Sequence, residues 1–319
     1  MRSFPRPSRG RRARLLAGAW ILCLAALPAA LHASEPGTAG FLSLRLGTGA
    51  RFAGMGDTGV SLASDATATY WNPAGLAAET STSIALQHNE WLETVRVESA
   101  SLAHATQIGV FGLLFSGLYM DDIQRRTIPS SIDEGSFNFY EVVVQGAYGR
   151  RLGSIAKLGA IDAGLGVKGL FSGLDDEKAS GWAMDVGARL HTRIDGLTFA
   201  VAGQHLGPEM SFIQDGFELP VTLRAGGDYQ RHFANQRTDF VLAYDLEVGN
   251  DDDPRNHFGA EITYMDLFSV RGGWKTGFDT QSGSFGVGVR KAGYRFDYAF
   301  TAVSADLGNA HRFSLAIDL

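Results

Sequence analysis

The residues able to do chemistry are few, and their spacing argues against catalysis. The chain has eight His, among them His104, His191, His205 and His311. A hydrolase would pair such a base with a serine on a Gly-x-Ser-x-Gly turn, and a zinc enzyme would space two His within one element. Neither pattern accompanies these residues. We therefore expect a protein that is not an enzyme, with no catalytic residue, no metal and no cofactor.

A run of three acidic residues is a second candidate for chemistry. Asp251-Asp252-Asp253 carries carboxylates, which are hard ligands of the kind that Ca²⁺ binds. The alternative is a solvated acidic loop, and we favour that interpretation.

A Gly-rich run before residue 60 is a third candidate. Gly54-Met55-Gly56-Asp57-Thr58-Gly59 has the spacing of a dinucleotide-binding loop. That loop belongs to a βαβ unit, which the flanking sequence does not offer. We interpret these Gly residues as positions that permit close packing or positive φ.

The composition excludes several classes of protein. Of the 319 residues, 40 are Gly and 9 are Pro, while 45% are hydrophobic and 19% are charged. A disordered chain would be less apolar and more charged, and collagen would have Gly at every third position. The length suits one large β domain or two smaller domains.

The first 33 residues predict a signal peptide for export. Six Arg and no acidic residue fall within residues 1–14, and an apolar run extends from Leu15 to Leu31. A basic region followed by a hydrophobic one, with Leu31-His32-Ala33 as the cleavage site, is typical of such signals. Cys23, the single Cys, lies in the apolar run, so the exported chain would contain no disulfide and no thiol.

The charge of the exported chain argues against nucleic acid as a partner. The sequence has 28 Lys and Arg and 34 Asp and Glu, and six basic but no acidic residues precede residue 34. The exported chain therefore has 22 basic against 34 acidic residues, a net charge of −12. Phosphate binding needs a basic face, so we expect no nucleic acid partner.

Alternation with period two dominates the sequence after residue 80. In residues 311–319, aromatic and aliphatic residues alternate with Arg312, Ser314, Ala316 and Asp318. Fourteen such segments begin near residues 81, 95, 107, 136, 157, 179, 196, 219, 236, 256, 267, 283, 293 and 309. Longer polar links follow the odd-numbered segments, and tight turns such as Asp195-Gly196 follow the even-numbered ones. This pattern predicts an all-β fold, a transmembrane antiparallel β-barrel of about 14 strands.

A secreted β-sandwich is the alternative, because its strands also alternate. Isolated charges in mid-strand favour the barrel, which would turn them into its lumen. Aromatic residues gather toward strand ends, and no 18-residue apolar run follows residue 33. The lumen-facing candidates are Arg189, Arg224, Glu261, Arg271, Arg290 and Arg312.

Three stretches before residue 80 resemble the N-terminal signature of the PorV/PorQ family of outer-membrane proteins. They are Gly49-Ala50-Arg51-Phe52-Ala53-Gly54-Met55-Gly56, Ala63-Ser64-Asp65-Ala66 and Tyr70-Trp71-Asn72-Pro73-Ala74-Gly75-Leu76. Asp306-Leu307-Gly308-Asn309-Ala310-His311-Arg312-Phe313-Ser314-Leu315 is similar to the last hairpin of that family. The order of Gly-rich segment, Asp-Ala and Asn-Pro-Ala also resembles the FadL long-chain fatty acid transporters.

The resemblance implies a FadL-like barrel over residues 80–319, with residues 34–79 folded into the lumen as a hatch. The hatch motif consists of Gly49, Gly54, Gly56, Asp65, Asn72, Pro73 and Gly75. We interpret these residues as structural, with gating as the alternative. The expected location is the outer membrane of a Gram-negative bacterium, in contact with its lipid, after insertion by the barrel assembly machinery.

The resemblance leaves two functions open. PorV relatives act in type IX secretion, where the barrel receives the C-terminal signal domain of an exported protein. FadL relatives take up long-chain fatty acids or other hydrophobic compounds. The link over residues 206–218 is unusually apolar, so it could meet either partner or fold over the rim and pack on itself. Its candidate residues are Met210, Phe212, Ile213 and Phe217.

Overall fold

Alternating inward and outward side chains after residue 80 form an antiparallel β-barrel. The computed structural model describes residues 37, 39–91, 94–125, 135–156, 158–212, 216–304 and 308–319. Fourteen strands close the barrel, and two strands of two residues each form a separate hairpin, β8–β9. The strands are β1 (Thr82–Trp91), β2 (Val95–Thr106), β3 (Gly109–Gln124), β4 (Ser136–Ile155), β5 (Gly159–Leu174), β6 (Glu177–Thr192), β7 (Leu197–Leu206), β8 (Met210–Ser211), β9 (Gly216–Phe217), β10 (Thr222–Phe233), β11 (Thr238–Gly249), β12 (Arg255–Tyr264), β13 (Phe268–Thr276), β14 (Gln281–Lys291), β15 (Tyr294–Val303) and β16 (Ala310–Asp318).

Closure of the barrel confirms the predicted fold class. Each barrel strand pairs antiparallel with the next, β7 pairs with β10, and β16 pairs with β1. The backbone groups of the wall therefore bond from strand to strand, as a sheet that spans lipid requires. Each of the fourteen predicted segments begins within three residues of a barrel strand.

The two faces of the wall differ as the sequence predicts. In β16, Phe313 is exposed on the outside, whereas Arg312 and Ser314 are buried inside. An exposed apolar outer face suits contact with lipid, in which no water surrounds the wall. The outward residues include Leu113, Phe115, Val144, Leu165, Val167, Phe171, Trp182, Phe199, Leu242, Phe258, Ile262, Val270, Trp274, Phe285, Val287 and Phe296.

The links at the two ends of the barrel differ in length. At one end, here called the long-loop end, residues 125–135 join β3 to β4 and residues 207–221 join β7 to β10. At the other, the short-turn end, β14 and β15 meet across Ala292 and Gly293, both at positive φ. The predicted longer links after the first and the fifth segments are wrong. Residues 92–94 alone join β1 to β2. β5 and β6 meet across Asp175 and Asp176 alone, because both strands extend over sixteen residues.

The described residues from 39 to the start of β1 contain only short helices. Within the described ranges, no helix is long and apolar enough to cross a membrane. The predicted signal peptide over residues 1–33, with Cys23, lies outside the described residues.

Residues 39–79, here called the inner segment, run through the barrel from one end to the other. At the long-loop end, Ala39 N donates to an Asp251 carboxylate oxygen at 3.1 Å, in the link between β11 and β12. At the short-turn end, the segment leads into β1. Its elements are the 3-10 helices Leu42–Arg45 and Pro73–Ala78 and the α-helices Ala50–Gly54 and Ala68–Trp71.

The inner segment supplies the core of the barrel. Trp71 is wholly buried, and its indole N–H donates to Thr48 O at 2.9 Å. The Tyr70 hydroxyl donates to Leu44 O at 2.9 Å. Burying a large side chain of this kind stabilises a fold by about 2 kcal/mol, and pairing its polar atom avoids the cost of an unsatisfied donor. The remaining core members include Phe52, Met55, Leu62, Leu76, Ala85, Ala103, Val110, Leu114, Val241, Ala243 and Ala316.

Glycine allows the inner segment to touch the wall. An ideal Cβ on Gly54 would lie 2.9 Å from the Cα of Gly286 in β14, which is closer than real Cβ contacts. The helix Ala50–Gly54 therefore packs backbone to backbone against the wall at this point. This contact accounts for one Gly of the motif and one Gly of the strand together.

Candidate functional site

Asn72 and Pro73 begin the last helix of the inner segment, which leads into β1. The Asn72 Oδ1 accepts from Ala74 N at 3.0 Å and caps the 3-10 helix Pro73–Ala78, in which Pro73 occupies the first turn. Its Nδ2 donates to Val60 O at 2.9 Å. Both ends of the buried amide are thus used within the fold. These contacts suit the structural interpretation, and gating stays a prediction.

The Gly residues of the motif lie where the inner segment turns or meets another backbone. Gly49 and Gly56 have φ of +90° and +69°, values that L side chains rarely adopt. A Cβ on Gly75 would collide with Ala63 O within the same segment. Gly49 N also donates to the Gln87 side chain of β1.

Arg51 and Asp65 of the inner segment are the two ends of a chain of ion pairs that runs along the lumen face of the wall. Arg51 Nη2 lies 2.7 Å from Glu261 Oε1, and Asp65 Oδ2 lies 2.6 Å from Arg295 Nη2. Three wall carboxylate contacts complete the chain: Arg271 with Glu261, Arg271 with Asp297 at 2.7 Å, and Arg295 with Asp297 at 3.1 Å. Three cations thus meet three anions, and the chain, here called the balanced network, is neutral.

Asp65 is held as an anion in that network. Burial raises the pKa of its carboxyl group. The Arg295 guanidinium and the Thr67 hydrogen bonds lower that pKa by more than burial raises it, so the net value is about 2. Asp57 behaves alike, because Lys275 and Arg312 outweigh its burial and hold its pKa well below its usual range. The inner segment therefore binds the wall through carboxylates that are ionised at neutral pH.

The six lumen-facing candidates follow the inward register of their strands. Glu261 and Arg271 belong to the balanced network, and Arg189 donates to Ala63 O at 3.3 Å. Arg290 shares the inward register of β14 but is exposed at the short-turn end. The other two, Arg224 and Arg312, lie toward the long-loop end, where they meet the cavity described next.

A cavity of about 450 Å³, here called the mouth cavity, lies at the long-loop end. Inner-segment residues Leu42, Arg45, Asp57 and Trp71 line it from below. The wall contributes five charged residues, Arg224, Glu247, Arg255, Lys275 and Arg312. Asp253 and Asp279 stand exposed on its rim.

Each deep carboxylate of the mouth cavity is shared by several cations. Asp57 contacts Lys275 Nζ at 2.7 Å and Arg312 Nη1 at 3.4 Å. Glu247 contacts Arg224 Nη2 at 2.5 Å and Arg255 Nη1 at 3.5 Å. The cations are therefore close together and incompletely neutralised.

The acidic run does not form an open cation site. Asp251 and Asp252 both pair with Arg45, the latter at 2.6 Å, and Asp252 also pairs with Arg255 at 2.5 Å. Asp253 is the exposed member of the run. The first two carboxylates thus fasten the inner segment at the long-loop end. Among the described residues, no group of three His, Cys, Asp or Glu is placed to hold a metal ion.

The four His considered for catalysis lie apart, each with a polar partner. His104 meets Thr82, His191 meets Asp162, His205 meets Lys168 and His311 meets Tyr298, at 2.8, 2.7, 2.9 and 2.9 Å. Among the residues that the structure describes, no two of the four share a serine.

The apolar link between β7 and β10 folds inward over the rim. Met210 is buried, and Phe212 and Phe217 pack with it against a cluster that contains Phe41 and Leu44 of the inner segment. Ile213 lies outside the described residues. Folding over the rim was one of the three possibilities that the sequence left open.

Sequence reasoning missed five residues of the mouth cavity. Glu247 and Lys275 occupy alternating inward positions of β11 and β13, so the rule that selected Glu261 could have found them. Arg255 begins a strand, Arg45 ends a 3-10 helix of four residues, and Asp57 lies in a turn, so no period exists to show the direction of these side chains.

Comparisons with known proteins show the fold and match part of the chain to a family. Residues 24–160 match the model of an uncharacterised protein family (UPF0164). The toluene transporter TbuX of Ralstonia pickettii superposes with a TM-score of 0.53 at 14% identity, over 85% of this chain and 97% of its own. The toluene transporter TodX of Pseudomonas putida gives 0.56 at 12%, over 86% and 99%. No curated protein sequence matches significantly.

The chain therefore shares the closed antiparallel barrel fold of these two proteins. Identity this low establishes the fold alone. The finer resemblance to PorV/PorQ proteins stays a prediction.

Proposed function

We propose that the protein is a non-enzymatic outer-membrane barrel that binds its partner at the long-loop end, as a secretion-associated component of PorV/PorQ type. The observation that carries this proposal is the position of the mouth cavity above an inner segment that runs the length of the lumen. A partner that arrives from outside meets a polar cavity with a fixed floor. Passage through the lumen would require the floor to move.

The fastening of that floor supports a receiving role. Asp57, Asp65 and Arg51 tie the inner segment to four different wall strands through ion pairs. Asp251 and Asp252 fasten its first described residues through Arg45. Several buried, charge-assisted contacts must break together before the segment leaves, which favours a partner that stays at the mouth.

The test is capture of secreted proteins by the intact barrel. The full chain, solubilised from its own membrane, should recover exported proteins that share a C-terminal signal domain. A matched preparation with Arg45→Gln and Arg255→Gln, two residues at the mouth, should recover less. Recovery of no such protein by the unaltered chain would contradict the secretion role.

Uptake of long-chain fatty acids or other hydrophobic compounds is the second candidate. The apolar cluster of Phe41, Leu44, Leu170, Met210 and Leu219 under the β7–β10 link favours it, because it lies at the mouth and could exchange a side chain for a ligand. Deletion of the gene should then reduce uptake. The single substitution Met210→Asp should also reduce it. Unchanged uptake after deletion, across such compounds, would count against this function.

A further inference from the structure

The deep part of the mouth cavity has more cations than carboxylates. Arg224, Lys275 and Arg312 contact only two carboxylates, those of Asp57 and Glu247. Arg45 and Arg255 are matched by Asp251 and Asp252. Three cations thus share two carboxylates at depth, whereas Asp253 and Asp279 on the rim balance the charge of the whole lining. The balanced network nearby has three cations for three anions, so the local surplus is particular to the deep part of the cavity.

Several guanidinium nitrogens in this region lack a hydrogen-bond acceptor. Within the part of the chain that the structure describes, Arg224 Nε and Nη1 and the Nε atoms of Arg255 and Arg312 bond to no protein atom. Arg224 is 4% exposed. A buried charged donor without an acceptor costs free energy, whereas an acceptor that enters the cavity gains a charge-assisted bond.

Aromatic rings hold these cations in place. The Arg224 guanidinium lies 5.2 Å from the centre of the Trp71 ring, and Arg255 lies 4.5 Å from that of Phe278. Lys275 Nζ lies 5.1 Å from the same Phe278 ring. Rings in this position stabilise a cation without neutralising it, so the donors stay available to an anion.

The polarity of the cavity decides what kind of anion fits. The charged residues that line the cavity include Arg45, Asp57, Glu247, Arg255 and Lys275. An alkyl chain in the cavity would remove water from these ionic groups without forming hydrogen bonds to them, which costs free energy. A volume of about 450 Å³ holds a small molecule, whereas a folded domain would rest on the rim above the cavity.

We propose that the mouth cavity binds the anionic group, carboxylate or phosphate, of a small hydrophilic solute. Arg224, Lys275 and Arg312 bind the anion, and Asp57 and Glu247 hold these cations close together. The site does not depend on whether the protein acts in secretion, since its ligand is small and its donors belong to the cavity itself.

The binding experiment is titration calorimetry on the intact, purified chain at low salt. Inorganic phosphate and succinate serve as probes of the two anionic groups, choline as a cation, and palmitate as an anion with a long alkyl chain. Phosphate or succinate should saturate one site, with affinity that falls as salt is raised. Binding of neither, or binding of palmitate more tightly than both, would overturn the proposal.

Two variants, one that removes a positive charge and one that removes a negative charge, distinguish an effect on binding from an effect on folding. Lys275→Gln removes a cation and should weaken anion binding about tenfold, as loss of one charge-assisted contact does. Asp57→Asn removes the anion that competes for Lys275 and Arg312, so it should tighten binding. If both variants weaken binding equally, the residues are structural and the site is not an anion site.

Arg290→Gln is the matched control, because Arg290 faces inward on β14 but is exposed at the opposite end of the barrel. It should leave anion binding unchanged. Heat-modifiable migration on a gel shows that each variant has formed the barrel. Equal loss of binding in Arg290→Gln would mean that anions bind to exposed Arg in general, which would also overturn the proposal.

Discussion

Asn72 shows at the scale of one residue why the motif before β1 has its particular composition. Its oxygen caps the helix Pro73–Ala78 and its amide nitrogen bonds Val60 O, so neither Asp nor Ala could replace both contacts. The sequence predicted a structural role for Asn72 but not these partners, because Val60 is brought close by the turns of the inner segment. Local propensity contains no information on such contacts.

Asn72→Ala should destabilise the protein by about 1–3 kcal/mol, the cost of losing a cap and of leaving a buried acceptor unpaired. The measurement is the temperature at which the folded band disappears in a gel-shift series. Asn309→Ala, at an exposed position, is the control and should leave that temperature unchanged. Equal effects of the two changes would show that the Asn72 cap does not contribute to the stability of the fold.

Asp65 gives the fold a dependence on pH. Its folded-state pKa, about 2, lies below the usual value of 3.8, so the stability it contributes is present above pH 4 and is lost as pH falls toward 2. We expect the unfolding temperature to drop across that window. Asp65→Asn should be less stable at neutral pH by about 2 kcal/mol and should show a shallower drop. An identical pH profile in both proteins would contradict the ion pair with Arg295.

At the scale of elements, the barrel could be predicted and its contents could not. In strands β11 to β16, the alternation of apolar and polar residues shows which side chains face outward. That alternation depends only on the strand itself and on the lipid outside it. The inner segment has no period, and its ion pairs join residues as far apart as Asp57 and Arg312. Their meeting depends on register around the whole barrel, so the mouth cavity was not visible in the sequence.

Contact between the helix Ala50–Gly54 and β14 should tolerate no side chain. Gly54→Val would place atoms where Gly286 lies, and overpacking of this kind costs about 1–3 kcal/mol. Gly146→Val is the control, because Gly146 is exposed on the outer face of β4 with no atom within 4 Å of an added Cβ. Thermal unfolding of the two variants should differ by that amount, and no difference would argue against close packing of the inner segment.

A disulfide can show whether the inner segment has to move. A Cβ on Gly112 in β3 would lie against the Thr69 side chain and against Leu76, so Thr69→Cys with Gly112→Cys should form a bond between the segment and the wall once Leu76→Ala makes room for it. Under oxidising conditions, capture of secreted proteins at the mouth should persist, and any uptake through the lumen should stop until a reductant is added. Each single variant serves as control. Loss of capture on oxidation, with recovery on reduction, would contradict binding to a fixed floor.

At the scale of the whole molecule, the chain combines an apolar exterior, a lumen filled by its own N-terminal part and a charged mouth. Low identity to TbuX and TodX, at 14% and 12%, leaves the architecture shared and the lining free to differ. The mouth cavity is ionic, so the shared fold does not by itself carry the ligand of those transporters to this chain. Excess Gly in the sequence is explained in part at this scale, because Gly54 and Gly286 let the segment and the wall approach each other.

The inner segment fills the lumen below the mouth cavity. The most direct test is the ion conductance of the purified, intact chain in a planar lipid bilayer. We predict membrane insertion without a steady open state, because residues 39–79 occupy the lumen and are mostly buried there. A stable conductance typical of an open porin, in the unaltered chain, would contradict the account.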